Sequence, residues 1–323
     1  MSLRVALLNN LRAGHSSKRV GRVLDLLRAY PHVQHVETED TLALPEALAQ
    51  LARRRVDLLV INGGDGSVNH ALTEILENRV FDELPMVAPL RGGRTNMTGL
   101  DLGASRDPVR GLEAVLRAAE EGRLEERIVR RPVLRVTSNR RPGAHYGMFF
   151  GAGMIHRAIG LTHRMFPTGR SQGVLGAGIV TAMLIARNAI RPHEPKAGII
   201  RPDKAQVSLD GWPAPHSEWS LLIASSLRRL FLRMQPFWGE GPGGVRFTGI
   251  AVGARHKRRA ALGVLRGRPR DFVTPENGWV SRNAERVELR FDCGFTIDGE
   301  IYAPEPDECV TVAADRRLAF VRA

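Results

Sequence analysis

The run Val56-Asp57-Leu58-Leu59-Val60-Ile61-Asn62, followed at once by Gly63-Gly64-Asp65-Gly66-Ser67-Val68-Asn69-His70, constrains this chain more than any other stretch. A strand so uniformly apolar is buried on both faces, as the strands of a parallel sheet are. The glycines fall where that strand must stop and turn, and without a Cβ they let a ligand approach the main-chain N–H groups. Ala71, Leu72, Ile75 and Leu76 continue at helical spacing, with Ser67 or Asn69 expected as the cap. Strand, glycine turn and helix start make an anion site, because free amides and the positive helix end both favour negative charge. A carboxylate inside such a turn, Asp65, points to an accompanying Mg2+ ion, to a substrate hydroxyl that needs activation, or to both. The plain alternative is an ordinary βα turn with a solvated aspartate.

The same grammar recurs along the first 130 residues. Leu3 to Leu8 is strand-like, and Val20, Val23, Leu24 and Leu27 repeat at helical spacing. A second strand, Val33 to Thr38, leads to a helix opened by Pro45. Met86 to Leu90 supplies a fourth strand, and Pro108 to Glu121 a further helix. Repeated βα units imply a mostly parallel sheet that binds ligands beyond the carboxyl ends of its strands. Two more turns sit at such ends, Asn10-Leu11-Arg12-Ala13-Gly14 and Gly92-Gly93-Arg94-Thr95-Asn96. Three of them would crowd one edge of the sheet.

Beyond Ile128 the pattern changes to short strands between Pro- and Gly-rich turns: Val133 to Thr137, Tyr146 to Phe150, Ala205 to Leu209, Trp219 to Ser225, Val245 to Val252, Val287 to Phe291 and Cys309 to Val312. This reads as an antiparallel β domain interrupted by a helical insertion from about Met154 to Ile190. The division expected is residues 1–128 and 129–323, with the last residues allowed to return to the first domain, and the active site in a cleft between the two. Asp298-Gly299-Glu300 lies between β-rich runs and reads first as a hairpin turn with a solvated glutamate.

Composition narrows the function class. At 323 residues with 43% hydrophobic and 25% charged content the chain is globular, and its net charge of +13 is carried almost wholly by arginine. That balance favours nucleotide phosphates, an acidic membrane surface or nucleic acid, unless it only reflects arginine-rich composition. The basic residues are not interleaved with aromatics, which argues against nucleic acid. Cys293 and Cys309 make neither a disulfide framework nor a zinc site, as expected in a reducing cytosol. No signal peptide is expected at the N-terminus. The longest apolar stretch, Val174 to Ile190, falls short of the ~20 residues that span a bilayer and is expected to be a buried or surface-docking helix. None of the four lysines follows a glycine, so no P-loop is present; His-Glu-x-x-His and Gly-x-Gly-x-x-Gly after the first strand are also missing.

Together these residues resemble the diacylglycerol kinase catalytic family, which includes bacterial lipid kinases and sphingosine kinases. Gly63 to Asn69 is similar to its Gly-Gly-Asp-Gly-Thr followed by Asn, Asn10 to Gly14 to its Asn-Pro-x-Ser-Gly, Pro89 to Asn96 to its Pro-x-Gly-Thr-x-Asn-Asp, and Asp298-Gly299-Glu300 to its late Asp-Gly-Glu. The resemblance implies an α/β nucleotide-binding domain and an antiparallel β-sandwich domain, and phosphoryl transfer from ATP with Mg2+ to a lipid hydroxyl, that of diacylglycerol or a related lipid. Asn10, Gly14, Thr38, Gly63, Gly64, Asp65, Gly66, Ser67, Asn69, Gly93, Thr95 and Asn96 would hold ATP, Asp65 would also hold the metal, and Asp65 and Glu300 would be catalytic, with Glu300 the proton acceptor.

The chain departs from the family pattern at Leu11, at Arg94, at Met97 in place of an aspartate, and at Gly243-Gly244, where many members have Asp-Gly. Two alternatives follow: a kinase of nicotinamide dinucleotides, which shares Gly-Gly-Asp-Gly, and a catalytically silent nucleotide- or lipid-binding protein. The partners expected are a lipid substrate and an anionic membrane touched peripherally from the cytoplasm, with no nucleic acid; a homodimer is compatible with the sequence.

Overall fold

The computed structural model describes residues 3–11, 17–39, 42–93, 95–165 and 201–323. They form two compact units, one of residues 1–131 and 317–323, the other of residues 132–316.

In the first unit strands and helices alternate: β1 (Val5–Asn10), α1 (Ser17–Arg28), β2 (Gln34–Thr38), α2 (Leu44–Ala52), β3 (Leu58–Asn62), α3 (Asp65–Leu76), β4 (Met86–Pro89), α4 (Met97–Leu102) and α5 (Pro108–Glu120). β1 pairs in parallel with β2 and β3, and β3 with β4. Every residue of β1 and β3 is buried, which is why both read as continuous apolar runs: helices cover both faces of the sheet. Val5, Leu7, Leu58 and Val60 pack with Val23 of α1 and with Leu112, Val115 and Leu116 of α5. β2, at the edge, is only half-buried. The end of the chain completes this unit, where Phe320 pairs in parallel with Val87 and the Ala323 carbonyl accepts from the Ser105 N–H at 2.7 Å.

The second unit is antiparallel. Its strands are β5 (Ile128–Ser138), β6 (Arg141–Gly147), β7 (Phe149–Ala152), β8 (Asp203–Leu209), β9 (Trp212–Pro213), β10 (Glu218–Ser225), β11 (Val245–Ala251), β12 (Trp279–Ala284), β13 (Arg286–Phe291), β14 (Phe295–Ile297), β15 (Glu300–Tyr302) and β16 (Glu308–Val321), the first and last of which begin or end in the other unit. One layer carries β6, β5, β16, β13 and β8; the other carries β15, β14, β7, β10, β11 and β12. The layers join at one corner, where Glu218 and Trp219 of β10 pair with Lys204 and Asp203 of β8. A single core takes Val207, Leu289 and Val310 from one and Phe150, Leu222 and Phe247 from the other, the packing expected of a β-sandwich. Alternation along β8 places Asp203 inward beside Ala205 and Val207. Burying that carboxylate requires a partner, and Arg157 of α6 (Met154–Met165) supplies one with bonds of 2.6 and 2.8 Å. The rest of the expected helical insertion, including Val174 to Ile190, lies outside the described residues. Among the described residues a further helix, α7 (Lys257–Leu265), covers a satellite core of Ala260, Val264, Val273 and Trp279.

Candidate active site

At the carboxyl edge of the parallel sheet the side chains turn polar together. Register sets Asn9 of β1 beside Asn62 of β3, and Asn10 beside Thr38 of β2. All four are buried, and buried polar groups need partners. Asn62 Nδ2 donates to Asn9 Oδ1 at 2.8 Å, and Asn10 Nδ2 donates to Ser67 Oγ at 2.9 Å, tying the end of β1 to the first turn of α3. Thr38 Oγ1 and Asn62 Oδ1 have no hydrogen-bond partner among the described residues. Two partnerless polar atoms at a ligand-binding edge are what a bound polar molecule would satisfy.

The helix that follows differs from the expectation in one respect. α3 begins at Asp65 with Gly64 as its cap, extended at φ −89° and ψ −178°, and without a side-chain cap bond. Ser67 and Asn69 are therefore not caps. Both lie inside the helix, and Ser67 Oγ already accepts from Asn10. No capping side chain closes the start of this 12-residue helix, so its amides and dipole remain available to an anion.

Asp65 is buried in the first turn, and its carboxylate accepts the N–H groups of Met97 at 3.0 Å and Thr98 at 3.1 Å. It thereby caps α4, whose own cap residue, Asn96, is left-handed at φ 50° and makes no side-chain cap. Asn96 closes its own loop instead: Oδ1 accepts from Gly93 N–H at 2.7 Å and Nδ2 donates to the Gly93 carbonyl at 2.8 Å. The turn after β4 rests on the turn after β3 so closely that a Cβ on Gly93 would stand 2.3 Å from Gly64 Cα. No residue but glycine fits there with this backbone. Burial pushes the Asp65 carboxyl above the usual carboxylate range, and the amides of Met97, Thr98 and Asn96 pull it partly back.

The structure thus gathers Asn10, Thr38, Gly63, Gly64, Asp65, Gly66, Ser67, Gly93 and Asn96 around one sheet edge, with Asn69 a turn further along α3 and Thr95 half-buried in the bend before Asn96. Gly14 and Arg94 lie outside the described residues. A carboxylate offers about four lone-pair sites, so Asp65 keeps some acceptor capacity beyond the amides of Met97, Thr98 and Asn96. Mg2+ ordinarily takes one or two carboxylates together with substrate phosphates. The donor set therefore fits an ion that arrives with a nucleotide; among the described residues no three His, Cys, Asp or Glu gather to cage one alone.

Glu300 belongs to the second unit, as the first residue of β15, where Ile297 pairs with Glu300 across a two-residue turn. Asp298 and Gly299 have φ of 50° and 97°, the left-handed pair that tight hairpins require. The turn is fastened by Asp298, whose buried carboxylate accepts the N–H groups of Met148 at 2.8 Å and Phe149 at 2.9 Å. Below it Phe295 and Tyr302 stack at 4.7 Å, with the Arg141 guanidinium over both rings.

Sequence reasoning gave no role of their own to Asn9, Asn62 or Asp298, although it named Asp298 in the Asp298-Gly299-Glu300 turn. The first two carried a signal, since a polar residue closing an otherwise apolar strand marks its ligand-facing end. Asp298 carried none, because its partners are some 150 residues away in sequence.

Residues 4–123 match the sequence model of the diacylglycerol kinase catalytic domain. No curated protein matches the chain. A diacylglycerol kinase structure from Bacillus anthracis str. Sterne is similar with a TM-score of 0.62 at 15% identity, covering 98% of this chain and 96% of that one. An NAD kinase from Archaeoglobus fulgidus, solved in complex with ATP, is similar with a TM-score of 0.50 at 13% identity, covering 99% and 93%. Such likenesses establish the fold. The matched stretch, residues 4–123, carries all three glycine turns and is what this chain shares with the diacylglycerol kinase catalytic domain family.

Proposed function

We propose that this protein is an ATP-dependent lipid kinase that phosphorylates the hydroxyl of diacylglycerol or a related lipid at a membrane facing the cytoplasm. The observation that carries the reading is the uncapped start of α3, set among Asn10, Ser67, Thr38 and Asn62 within the family's catalytic domain. Backbone amides from Gly63 to Ser67 would receive the phosphates, and Asn10, Thr38, Asn69 and Thr95 would flank the nucleotide. Asp65 would hold Mg2+, which when bound supplies positive charge against the phosphate oxygens. Asp65 also has a task of its own: its two amide bonds fix the turn after β4 against the turn after β3. In the transfer Glu300 takes the lipid hydroxyl proton, the oxygen forms a bond to the γ-phosphorus, and the bond from that phosphorus to the β–γ bridging oxygen breaks, releasing ADP.

Two rival readings remain distinct. A dinucleotide kinase shares the α/β architecture, but Asn69-His70 and the late Asp-Gly-Glu favour the lipid kinase. A silent binding protein is favoured by two positions. Met97 contributes its backbone N–H and a buried side chain with no metal-binding oxygen. At Gly243 a Cβ would lie 1.8 Å from the Ala284 carbonyl carbon, so an aspartate cannot stand there on this backbone. Radiolabelled ATP with a total lipid extract, with NAD, and with neither separates the three. Label in a chloroform-soluble product, lost in Asp65→Asn, is the expected result; label in a dinucleotide, or tight ATP binding without transfer, would replace the reading with one of the others.

A further inference from the structure

Between Arg255 and Arg270 the chain carries seven lysines and arginines and no acidic residue. Arg255, Arg258, Arg259, Arg266, Arg268 and Arg270 are exposed, on α7 and the turns at its two ends. Among the described residues Arg255, Arg259, Arg266, Arg268 and Arg270 form no ion pair. A run of charge is by itself an ordinary solvated face, and two further observations make this one different.

The first is exposed apolar surface within the same ring of charge. Leu262, on the outer side of α7, is 59% exposed, and Leu232 is 57% exposed. Leu232 belongs to the neighbouring loop Arg228 to Gln235, which adds the exposed Arg228, Arg229 and Arg233. This loop is held against the end of α7, because the Gln235 N–H donates to the Leu265 carbonyl at 2.8 Å and the backbone of Gly267 packs on Gln235. Leu232 and Arg233 are both left-handed, at φ 53° and 58°. Residues with a Cβ adopt that conformation only where the surroundings impose it; here it holds a leucine out in water. The second observation is a small apolar cavity of about 70 Å³ beneath α7, lined among others by Leu221, Pro236, Ile250, Ala261, Val264 and Leu265. Its lining shows that the buried side of α7 is mostly apolar, while Leu262 adds apolar surface on the exposed side.

We propose that α7 and the loop Arg228 to Gln235 form the face by which the second unit docks on an anionic lipid bilayer, with Leu232 and Leu262 entering the interface between arginines that meet the headgroups. Basic residues near an anionic surface and apolar side chains just below it are the two forces that hold a peripheral protein on a membrane. A nucleic acid would use the arginines for its phosphates and leave Leu232 and Leu262 in water, so it gives no account of the exposed leucines. The proposal rests on the reading of a kinase that works at a lipid membrane, but its test reads vesicle binding and not phosphoryl transfer, so the two can fail separately.

The test is co-sedimentation of the full chain with vesicles of phosphatidylcholine, with or without phosphatidylserine, for three variants. In Arg255→Glu/Arg259→Glu/Arg266→Glu, partitioning onto the serine-containing vesicles should fall at least about 100-fold, taking each basic residue near the surface as worth roughly fivefold. In Leu232→Ser/Leu262→Ser it should fall about tenfold while the thermal unfolding midpoint stays in place, because both side chains are already in water. In Arg53→Glu/Arg54→Glu/Arg55→Glu, a reversal of three exposed arginines in the first unit, partitioning should change by no more than about fivefold. Equal losses from the two arginine triples would mean diffuse charge and overturn the proposal. So would a leucine pair without effect, or displacement of the bound protein by duplex DNA at equal phosphate concentration.

Discussion

Removing the Asp298 carboxylate should loosen the second unit without touching the residue proposed to do the chemistry. Asp298 is 6% exposed and accepts two buried backbone N–H groups, from Met148 at 2.8 Å and Phe149 at 2.9 Å. Asp298→Ala leaves both donors unsatisfied, at about 1–3 kcal/mol each. It also forces alanine into a left-handed conformation, φ 50°, which costs roughly 1–2 kcal/mol. The expected loss is therefore about 3–8 kcal/mol, a large part of a typical domain's 5–15 kcal/mol. Asp298→Asn keeps one acceptor and tolerates the left-handed backbone, so its loss should be about 1–3 kcal/mol. Urea unfolding followed by tryptophan fluorescence reports on this unit alone, because Trp212, Trp219, Trp238 and Trp279 all belong to it. An alanine variant within about 1 kcal/mol of the parent, or an asparagine variant as unstable as the alanine, would refute the reasoning.

Glu300→Gln should leave that unfolding curve unchanged and lower turnover at least ~10²-fold with little change in ATP affinity; near-normal turnover would remove Glu300 from the mechanism. Thr38→Val exchanges a buried hydroxyl without a partner for a methyl group, so stability should rise by about 1 kcal/mol, while ATP binding, followed by calorimetry, should weaken up to about tenfold. A destabilised Thr38→Val, or one with unchanged ATP affinity, would take Thr38 out of the nucleotide site. Cys293 is buried and its thiol is pushed up to about 12. Its folded pKa lies above the unfolded value of about 8.5, so its contribution is complete below about pH 8.5 and is lost as pH rises toward 12, by roughly 2 kcal/mol at pH 10. Urea unfolding at the two pH values in the parent and in Cys293→Ala checks this: the parent should lose that much more than the variant.

Much of the first unit was legible because its signals are local. Val56 to Ile61 is apolar at every position but Asp57, which only a strand covered on both faces requires, and three glycine turns at three strand ends leave few ways to arrange a parallel sheet. The antiparallel second unit was legible as a class, from short strands between Pro and Gly turns, and the β14–β15 hairpin was legible from Asp298-Gly299 between two β-rich runs, while β9 and β12 went unassigned because short strands carry too little periodicity to stand out. The expectation that Gly63 to Asn69 receives an anion also came from the sequence alone, since it follows from residue type at a strand end. What the sequence did not determine is where each polar side chain finds its partner. Asp65 bonding to Met97 and Thr98, Asp298 bonding to Met148 and Phe149, and Asn96 folding back on Gly93 all depend on which turns are brought side by side. That is set by strand order and register, by Cβ-free contacts such as Gly64 on Gly93, and by the need of every buried N–H for an acceptor. The start of α3 shows the same division: Ser67 and Asn69 are good caps by type, but Gly64 takes that place and the Ser67 hydroxyl accepts from Asn10. Residue chemistry thus decided what kind of site this edge can be, and tertiary packing decided which backbone N–H groups Asp65 and Asp298 hold.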